Sequence, residues 1–397
     1  MLERRAEWDF NEILGPDGFS TRLEDRIMFA SDATNRDDHR PDAVAWPRTA
    51  RQAAALIRLA RKYRLPVVPR GAGSGLSGGA LPVTGGLIVV LTHLDKILDI
   101  DPIGRTALVE PGVITADFQE AAARLGLFYP PDPSSRDFCT LGGNAAENAG
   151  GTRAVKYGVT RDYILGLQAV LGTGEIVETG ASPAGPGEGC DLTQLLVGSE
   201  GALGVITRLT LRLIPQPEAR ETLVAYYGGI AAATRTVAAL TRARIVPATI
   251  EFMDRASLEC VADYTGLELA PETGAMLLIE TDGHPVQARR DADAALAICR
   301  ENGAFSARRA AGAAEAETMW KARRAISPAL FRVATGKMNE DVVVPRTRIP
   351  EMLARMDEIA ARRGVRIINF GHAGDGNIHV NVMFEKRDPG GEVRGDP

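Results

Sequence analysis

Cysteine is scarce in this chain, and the spacing of the few cysteines excludes several classes of protein. The 397 residues include only four, Cys139, Cys190, Cys260 and Cys299, and no two of them form a Cys-x-x-Cys pair. A disulfide scaffold, a zinc knuckle and an iron–sulfur cluster all need closer spacing. We therefore expect reduced thiols that pack as small core residues in a reducing compartment.

An excess of basic charge and long apolar runs are absent as well. The 46 Lys and Arg residues against 51 Asp and Glu residues give a net charge of −5, which leaves no electrostatic footprint for nucleic acid. No run of about 18 apolar residues could span a bilayer, and the first ten residues, MLERRAEWDF, lack the apolar core of a signal peptide. We predict a cytoplasmic protein without a transmembrane segment, and a partner could still attach it peripherally to the inner membrane.

The order of the predicted strands and helices indicates an α+β protein with two domains. A chain of 397 residues exceeds one compact core. Short strands and few helices fill its first half, and a segment with two prolines, Ile214 to Arg220, then reads as a boundary. Beyond it the order strand, helix, strand, strand, helix, strand is that of a ferredoxin-like unit. We place the domains at 1–215 and 216–397.

Glycine is concentrated in the run PRGAGSGLSGGALP, from Pro69 to Pro82. Residues without a Cβ let backbone N–H groups approach a ligand closely, which favours bound phosphate. The spacing Gly73-x-Gly75-x-x-Gly78 matches a dinucleotide fingerprint, but that fingerprint must open a helix, with an acidic residue about 20 positions further on. Here the chain turns and enters a strand, so we predict a phosphate loop that is not of the Rossmann type.

Three further segments before residue 210 combine glycine with small polar residues. The first, PPDPSSRDFCTLGGNAAENAGG at 130–151, is typical of a pocket wall, although a pair of ordinary loops would have the same composition. The second, KYGVTRD at 156–162, precedes a predicted strand. The third, GSEGALGVI at 198–206, again gathers glycines before a strand. Four such elements in order are far more specific than any one alone.

A second kind of chemistry is predicted near the end of the chain. In FGHAGDGNIHVN, His372 and His379 flank the turn Gly374-Asp375-Gly376, which would bring both imidazoles together at the ends of two strands. A pair of neutral histidines suits a divalent metal, and a pair of hydrogen-bonded structural histidines is the alternative on spacing alone. Upstream, Arg323 in WKARRAISPAL could grip a carboxylate with two hydrogen bonds or lie on a solvated helix face.

Together the four glycine-rich elements resemble the flavin domain of the vanillyl-alcohol oxidase (PCMH-type) superfamily. The most similar branch holds bacterial glycolate oxidase, D-lactate dehydrogenase and D-2-hydroxyglutarate dehydrogenase, and the resemblance covers nearly the whole chain. It implies a PCMH-type FAD-binding domain followed by a ferredoxin-like α+β cap domain. Because the glycine loop contains no histidine, it implies non-covalent FAD. The cofactor-binding residues so implied are Pro69, Arg70, Gly71, Ala72, Gly73, Ser74, Gly75, Leu76, Ser77, Gly78, Pro131, Asp132, Pro133, Ser134, Thr140, Gly142, Gly143, Asn144, Asn148, Gly150, Gly151, Glu200, Gly201, Gly204, Val205 and Ile206.

The same resemblance implies roles for residues of the second domain. The family's counterparts of His372 and His379 bind a divalent metal, Zn²⁺ or Mn²⁺, and its asparagine at the position of Asn381 contacts the substrate. The counterpart of Arg323 anchors the substrate carboxylate, with Ser327 and Lys337 as further substrate-binding candidates. The implied reaction is oxidation of a D-2-hydroxy acid to the 2-oxo acid, in which a hydride passes from C2 to flavin N5. Either a histidine or a metal-bound hydroxide would take the hydroxyl proton.

One departure from the family and two alternatives accompany this prediction. Members of the branch continue through a Gly-Glu-His-Gly-Ile-Gly-like element whose glutamate completes the metal site, whereas this sequence stops after GGEVRGDP, so we expect an incomplete cap domain. Asp375 and Glu340 are local substitutes for that glutamate that we do not favour. The alternatives are the non-redox alkyl transfer of alkyldihydroxyacetonephosphate synthases and a flavin subunit that is active only within a complex. The expected electron acceptor is a quinone, an electron-transfer flavoprotein or an iron–sulfur subunit.

Overall fold

The computed structural model describes residues 3–34, 39–180, 190–265 and 268–385, and the chain divides into two compact units. Unit 1 is Met1–Gly151 with Gly158–Gln216, and unit 2 is Thr152–Tyr157 with Pro217–Pro397. The tail GGEVRGDP, on which the expected truncation rests, lies outside the described residues. Of the four cysteines, Cys190 is exposed and the other three are buried, so the expectation of core packing is wrong for Cys190.

Strands and helices are numbered here in chain order through both units. The strands are β1 (Phe19–Ser20), β2 (Ala43–Ala45), β3 (Val67–Arg70), β4 (Leu87–Val90), β5 (Ile97–Asp101), β6 (Thr106–Val109), β7 (Leu127–Phe128), β8 (Ile164–Val170), β9 (Ile176–Gly180), β10 (Val205–Arg212), β11 (Ile214–Pro215), β12 (Ala219–Tyr227), β13 (Thr249–Asp254), β14 (Ala275–Gly283), β15 (Ala304–Arg309), β16 (Gly336–Val343), β17 (Arg366–His372) and β18 (Asn377–Phe384). The α-helices are α1 (Arg4–Leu14), α2 (Leu23–Met28), α3 (Ala50–Lys62), α4 (Thr115–Ala123), α5 (Leu141–Glu147), α6 (Ala154–Tyr157), α7 (Leu192–Leu196), α8 (Ile230–Arg242), α9 (Arg255–Thr265), α10 (Pro285–Glu301), α11 (Ala313–Ala329) and α12 (Ile349–Arg363). Short 3₁₀ helices span Thr160–Tyr163, Leu330–Arg332 and Arg346–Arg348.

Unit 1 contains a four-stranded sheet in the order β1-β2-β4-β3, in which β2, β4 and β3 run parallel. Helix α3 begins at Thr49, whose hydroxyl accepts a hydrogen bond from the Gln52 N–H, and it buries Leu56 and Ile57 in the core beneath the sheet. Parallel neighbours need a long connection, usually a helix. Between β3 and β4 that connection is the glycine run instead, so the run leaves from the carboxyl end of a half-buried parallel edge strand.

A second sheet of unit 1 is antiparallel, with five strands in the order β5-β6-β10-β8-β9. Strands β8 and β10 lie side by side at its centre, where Leu167 pairs with Leu209 and Val170 with Val205. All four side chains are buried. A third, two-stranded ribbon joins β7 and β11.

Unit 2 is built on one seven-stranded sheet in the order β15-β12-β14-β13-β17-β18-β16. The first four of these strands, with α8 and α10, have the order fourth, first, third, second, which is the ferredoxin-like arrangement predicted from the sequence. The chain then adds α11, β16, α12, β17 and β18, and these three strands extend the sheet beyond β13. The protein is thus of the α+β class.

The two faces of the unit 2 sheet are covered by different helices because successive side chains of a strand point to opposite faces. On β14, Leu277 and Ile279 pack with α8, α10 and α12. The alternate residues Met276 and Leu278 pack with α9 and α11. Each buried aliphatic side chain contributes about 1.5–3 kcal/mol. We call the face beneath α9 and α11 the α11 face, because it carries the polar residues described next.

Candidate flavin-binding and substrate-binding sites

The glycine loop of unit 1, residues 71–80, leaves its backbone donors uncommitted. None of its ten N–H groups donates a hydrogen bond to an acceptor in the described part of the chain. Gly73 and Gly78 adopt left-handed backbone conformations, with φ of 69° and 87°. Uncommitted N–H groups along a turning backbone form an anion-binding concavity. This geometry suits the phosphate loop predicted from the sequence.

The other glycine-rich elements of unit 1 pack directly against this loop. A Cβ added to Gly71 would lie 2.4 Å from Thr140 Oγ1, and one added to Gly201 would lie 2.6 Å from Pro69 Cγ. The loop also receives a side-chain contact, because Ser77 Oγ donates to Glu147 Oε2 at 2.8 Å. The predicted elements at 69–78, 140–151 and 200–206 are therefore neighbours in space as well as in the family pattern.

Within 140–151 the chain forms the capped helix α5, Leu141–Glu147, and residues 149–151 follow it without regular structure. Thr140 Oγ1 accepts from the Gly143 N–H at the start of α5, and Asn148 ends the helix with φ of 53°. Gly142 is required by packing, since a Cβ there would lie 2.4 Å from Pro111 Cβ. Gly151 likewise lies against the Asp132 carbonyl, where a Cβ would come within 2.5 Å. Small residues here serve close packing of backbone on backbone.

A tight turn connects α7 with β10 and lies against α5. Glu200 and Gly201 both have positive φ, at 52° and 80°. The Glu200 N–H donates to the Ala146 carbonyl at 2.9 Å, which fixes the turn to the end of α5. Gly204 follows, where an added Cβ would lie 3.0 Å from the Val170 carbonyl oxygen, a tight contact. The predicted residues Val205 and Ile206 are then buried at the start of β10.

Two of the predicted cofactor-binding residues, Arg70 and Pro131, also make contacts within the protein. The Arg70 guanidinium is folded into the loop, where it lies 5.3 Å above the Phe29 ring, and burial lowers its pKa. Pro131 is buried, and its carbonyl accepts from Gln119 Nε2 at 2.8 Å. Asp132 and Pro133 are half-buried, and Ser134 is exposed. The cofactor roles of these and the other predicted residues remain predictions.

In unit 2 the predicted histidines meet on a β-hairpin. Strands β17 and β18 pair from Arg366–Met383 to His372–Asn377, and Gly376 closes the turn with φ of 90°. A Cβ on Gly376 would lie 2.1 Å from the Val344 carbonyl, so no larger residue fits. His372 and His379 both point to the α11 face, and their ring centroids are 5.0 Å apart.

Each histidine is held by the carboxylate directly opposite it in the sheet. Glu251 on β13 is the register partner of His372, and Asp341 on β16 is the register partner of His379. The Nδ1 atoms lie 2.7 Å from Glu251 Oε1 and 2.5 Å from Asp341 Oδ1. A carboxylate can only accept, so both rings carry their proton on Nδ1 and present Nε2. Neither Nε2 atom has a partner among the described residues.

Arg323 lies on the buried side of α11, not on its solvated side. Its side chain is 5% exposed, and its Nε donates to Glu251 Oε2 at 2.7 Å. Nη2 is 2.6 Å from the same oxygen but has no hydrogen bond of acceptable angle in the described residues. The guanidinium lies 4.9 Å from the centre of the Phe370 ring. Glu251, fully buried, thus bridges Arg323 and His372.

The electrostatic environment of this cluster shifts the pKa values of the two histidines in opposite directions. Burial alone would lower the pKa of His372, but the Glu251 carboxylate outweighs burial and the pKa is raised. For His379 burial prevails over the hydrogen bond that its Nδ1 donates to Asp341, and its pKa is lowered. Burial would raise the pKa of Glu251, yet His372 and Arg323 hold it below its usual value. Environments that drive the pKa values of two neighbouring titratable groups apart are typical of acid–base sites.

The remaining predicted substrate residues lie on or beside the α11 face. Ser327 follows Arg323 by one helical turn, and Lys337 Nζ donates to Ser327 Oγ at 2.8 Å. Burial lowers the pKa of Lys337. Asn381 is fully buried, and its Nδ2 donates to the carbonyls of Ile368 and His379 at 3.2 Å. Its Oδ1 has no partner in the described residues.

Neither local substitute for the family's glutamate joins the histidines as a ligand. Asp375 Oδ1 accepts from the Asn377 N–H within the turn. Glu340 is opposite Val380 and therefore lies on the other face of the sheet from Asp341. In the described ranges no group of three His, Cys, Asp or Glu side chains has the arrangement to hold a metal ion. Among the described residues the cluster supplies two imidazole ligands and no third side-chain ligand.

Sequence reasoning missed Glu251 and Asp341, the two residues that orient the histidines. Glu251 interrupts the apolar strand TIEFMD, and a charge at the centre of such a strand is a signal that could have been used. Asp341 offered no such signal, because β16 carries charged residues on both faces. None of the helices in the described residues is long and apolar enough to cross a membrane.

Comparison with known proteins defines the class to which these features belong. Residues 41–180 match the FAD binding domain family, and residues 216–396 match the C-terminal domain of FAD linked oxidases. Solved structures of similar fold include p-cresol methylhydroxylase, with a TM-score of 0.81 at 17% identity over 96% of this chain and 82% of that one. Alkyldihydroxyacetonephosphate synthase gives a TM-score of 0.78 at 18% identity over 96% of this chain and 80% of that one. The protein is an FAD-linked oxidoreductase.

The relatives found by sequence have higher identity to this chain than the solved structures of similar fold. The glycolate oxidase subunit GlcD of Bacillus subtilis (strain 168) is 42% identical over 98% of this chain and 82% of its own length. The same subunit of Escherichia coli (strain K12) is 35% identical over 94% and 74%, and D-lactate dehydrogenase of Anaerostipes hadrus is 37% identical over 88% and 75%. The chain belongs to the FAD-linked oxidase family that includes these proteins, as its glycine-rich elements predicted.

Proposed function

We propose that this protein oxidises a small D-2-hydroxy acid, of the glycolate, D-lactate or D-2-hydroxyglutarate class, to the 2-oxo acid with non-covalent FAD as oxidant. The observation that carries the proposal is the cluster on the α11 face, where a buried arginine adjoins two histidines with free Nε2 atoms. An arginine recognises a carboxylate, and paired imidazoles suit the adjacent hydroxyl. The relatives' names, glycolate oxidase subunit and D-lactate dehydrogenase, support this substrate class.

The carboxylate end of the substrate is assigned to α11. Glu251 occupies one edge of the Arg323 guanidinium, and the remaining donors are proposed to hold the substrate carboxylate. Ser327 lies four residues further on the same helix and is tied to the Lys337 ammonium. In this proposal Lys337 and Ser327 extend the cationic region along the helix, and Asn381 contributes its unpartnered Oδ1 to a substrate hydroxyl or water.

The hydroxyl end is assigned to the histidines. The Nδ1 protons of both rings are held by Glu251 and Asp341, so each ring offers a lone pair at Nε2 when it is neutral. Since its pKa is lowered, His379 is neutral at physiological pH and suited to accept the hydroxyl proton at Nε2. Bound FAD would supply the acceptor for the two electrons that leave C2 as hydride. The products balance as the 2-oxo acid, reduced flavin and one proton.

We also propose His372 and His379 as ligands of a divalent cation, Zn²⁺ or Mn²⁺, at the same Nε2 atoms. Imidazole nitrogen suits both metals, and each ring already has the outer carboxylate that metal-binding histidines usually have. Bound there, the cation would lower the energy of the substrate alkoxide. With two side-chain ligands in the described residues its affinity would be weak. Substrate-driven flavin reduction that persists after chelation would assign the proton acceptor to histidine alone.

The electron acceptor is proposed to be a quinone, an electron-transfer flavoprotein or an iron–sulfur subunit. The similarity to a protein named as a glycolate oxidase subunit favours the last. Activity that appears only when a partner is added would identify a flavin subunit of a complex. Absence of flavin reduction with every hydroxy acid would instead favour an alkyl-transfer reaction.

The proposal is tested by anaerobic mixing of the purified flavoprotein with glycolate, D-lactate and D-2-hydroxyglutarate, followed by the visible flavin spectrum. Substrate should bleach the flavin, and His372→Ala should abolish bleaching yet retain FAD. His284→Ala is the matched control, because His284 is exposed at the start of α10 and its side chain does not cap that helix. Loss of FAD from His372→Ala would show a structural role for His372 and contradict the proposal.

A further inference from the structure

We propose that Glu251 is a positioning residue that sets both ends of the hydroxy-acid site, the arginine that holds the carboxylate and the histidine that faces the hydroxyl. This inference rests on the function proposed above. It assigns Glu251 no contact with substrate. The role is to fix the direction of two groups that make such contacts.

The position of Glu251 is determined by the sheet. Strand β13 lies between β14 and β17, and Glu251 faces His372 in direct register. The side chain is 0% exposed, and its neighbours along the strand, Ile250 and Phe252, are buried in the core of the opposite face. The carboxylate therefore cannot leave the α11 face without moving the centre of the sheet.

The two oxygens of Glu251 have separate tasks. Oε1 accepts from His372 Nδ1 at 2.7 Å, and Oε2 accepts from Arg323 Nε at 2.7 Å. The first bond fixes the rotation of the imidazole and, in the neutral ring, the tautomer in which Nε2 presents a lone pair. The second bond fixes the plane of the guanidinium against the Phe370 ring. One side chain thus couples the orientation of both groups.

Asp341 provides an internal comparison because it has only one of these tasks. It holds His379 through Nδ1 in the same cross-strand manner, but its side chain is 50% exposed and contacts no arginine in the described residues. Removal of the Asp341 carboxylate should therefore disturb the hydroxyl end alone. Removal of the Glu251 carboxylate should disturb both ends.

The kinetic test compares Glu251→Gln and Asp341→Asn with wild type in anaerobic flavin reduction by a hydroxy acid. The amide in Glu251→Gln can accept from only one of its two donors and directs an N–H at the other. We expect Glu251→Gln to lower the limiting rate of reduction about 10- to 100-fold and to raise the half-saturating substrate concentration by a similar factor. Asp341→Asn should lower the rate with less than a threefold change in half-saturation.

Glu280→Gln is the matched control for removal of a buried carboxylate. Glu280 lies on the neighbouring strand β14, is 6% exposed and accepts from Trp320 Nε1 at 3.2 Å. It contacts neither His372 nor Arg323 in the described residues. If Glu280→Gln reproduced the changes of Glu251→Gln in both rate and half-saturation, general destabilisation of the sheet would explain them, and the positioning role would be refuted.

A spectroscopic test needs no turnover. In wild-type holoprotein labelled with ¹⁵N-histidine, at alkaline pH where the rings are neutral, His372 should carry its proton on Nδ1 and show an unprotonated Nε2. Resonances are assigned by the loss of one signal in His372→Ala. Glu251→Gln or the shorter Glu251→Asp should mix the two tautomers. A wild-type His372 protonated on Nε2 overturns the inference even if no variant folds, whereas failure of every hydroxy acid to reduce wild-type flavin refutes only the proposed function.

Discussion

Replacement of Gly71 by alanine tests the packing of the glycine loop on helix α5. The backbone of Gly71 does not require positive φ, so alanine is opposed only by space. The new Cβ would lie 2.4 Å from Thr140 Oγ1, the atom that caps α5 by accepting from the Gly143 N–H. Overpacking of this kind costs about 1–3 kcal/mol. If the strain falls on the FAD-bound state, the Kd for FAD should rise about 5- to 150-fold, since about 1.4 kcal/mol corresponds to a factor of ten.

Flavin content and affinity provide the assay. FAD per polypeptide is measured from absorbance after desalting, and the Kd by fluorescence quenching when FAD is added to apoprotein. Gly172→Ala is the matched control, because Gly172 also lies in unit 1 without positive φ and a Cβ there would meet nothing within 4 Å. Equal FAD affinity in Gly71→Ala and Gly172→Ala would refute the reasoning.

A double-mutant cycle separates the clash from other effects of the methyl group. Thr140→Ala removes the opposing Oγ1 and costs about 1 kcal/mol through the lost cap. In Gly71→Ala combined with Thr140→Ala, the clash is relieved, so the two changes should cost less together than the sum of their separate costs. Strict additivity would show that Oγ1 does not limit the approach of the loop.

Two further predictions concern buried carboxylates of unit 2. Burial raises the pKa of Asp254 to about 6 from 3.8, so the folded state keeps its proton longer than the unfolded state; its contribution to stability should be greatest below pH 3.8 and fall as the pH rises to about 6. Urea unfolding between pH 3.8 and about 6 should show that the free energy of unfolding of wild type, relative to that of Asp254→Asn, changes by up to about 3 kcal/mol. Parallel pH profiles of the two proteins would contradict this prediction. Asp282 accepts from Lys156 Nζ at 2.5 Å and from the Tyr157 hydroxyl at 2.7 Å. Asp282→Asn should destabilise unit 2 by about 3–5 kcal/mol, measured by the same urea unfolding. Glu358→Gln, which breaks the exposed ion pair of Glu358 with Arg355, is the control. Equal unfolding midpoints in these two variants would show that the anchor contributes nothing.

The ferredoxin-like half of the fold could be predicted because its strands and helices have clear periods. Residues 275–279 of strand β14 are apolar on both faces, and helices α8 and α10 occupy the two helical places in the predicted order. Helix α9 was missed, because it lies between two strands of the predicted unit and its polar residues weaken the pattern. The order of strands was not affected, since an added helix leaves the pairing of β13 and β14 intact.

Helix α5 shows where local propensity misleads. Gly142 and Gly143 each cost about 1 kcal/mol in a helix. The composition of 130–151 indicated a pocket wall or a pair of ordinary loops instead. The structure instead uses these glycines for contact with Pro111 and with the glycine loop. The cap at Thr140 was the available signal for a helix.

The orientation of the predicted site depended on features beyond local sequence. The spacing of Arg323, Ile326 and Leu330 would have placed the arginine on the buried side of α11, and all three are buried. The pairing of His372 with Glu251 depends on the register between β13 and β17, across 121 residues of chain. Such long-range register has no local signature, so the sequence predicted the histidines but not the groups that direct them.

Residues 152–157 interrupt unit 1 in the sequence but belong to unit 2 in the fold, which has a consequence for synthesis on the ribosome. Lys156 precedes its partner Asp282 by 126 residues. At about 5–20 residues per second, the segment waits roughly 6 to 25 s after leaving the ribosome before Asp282 is made. During that interval the rest of the unit 1 chain, Gly158–Gln216, is made, including the central strands β8 and β10. The chain of unit 1 is therefore complete before Asp282, the carboxylate that binds Lys156 and Tyr157, has been synthesised.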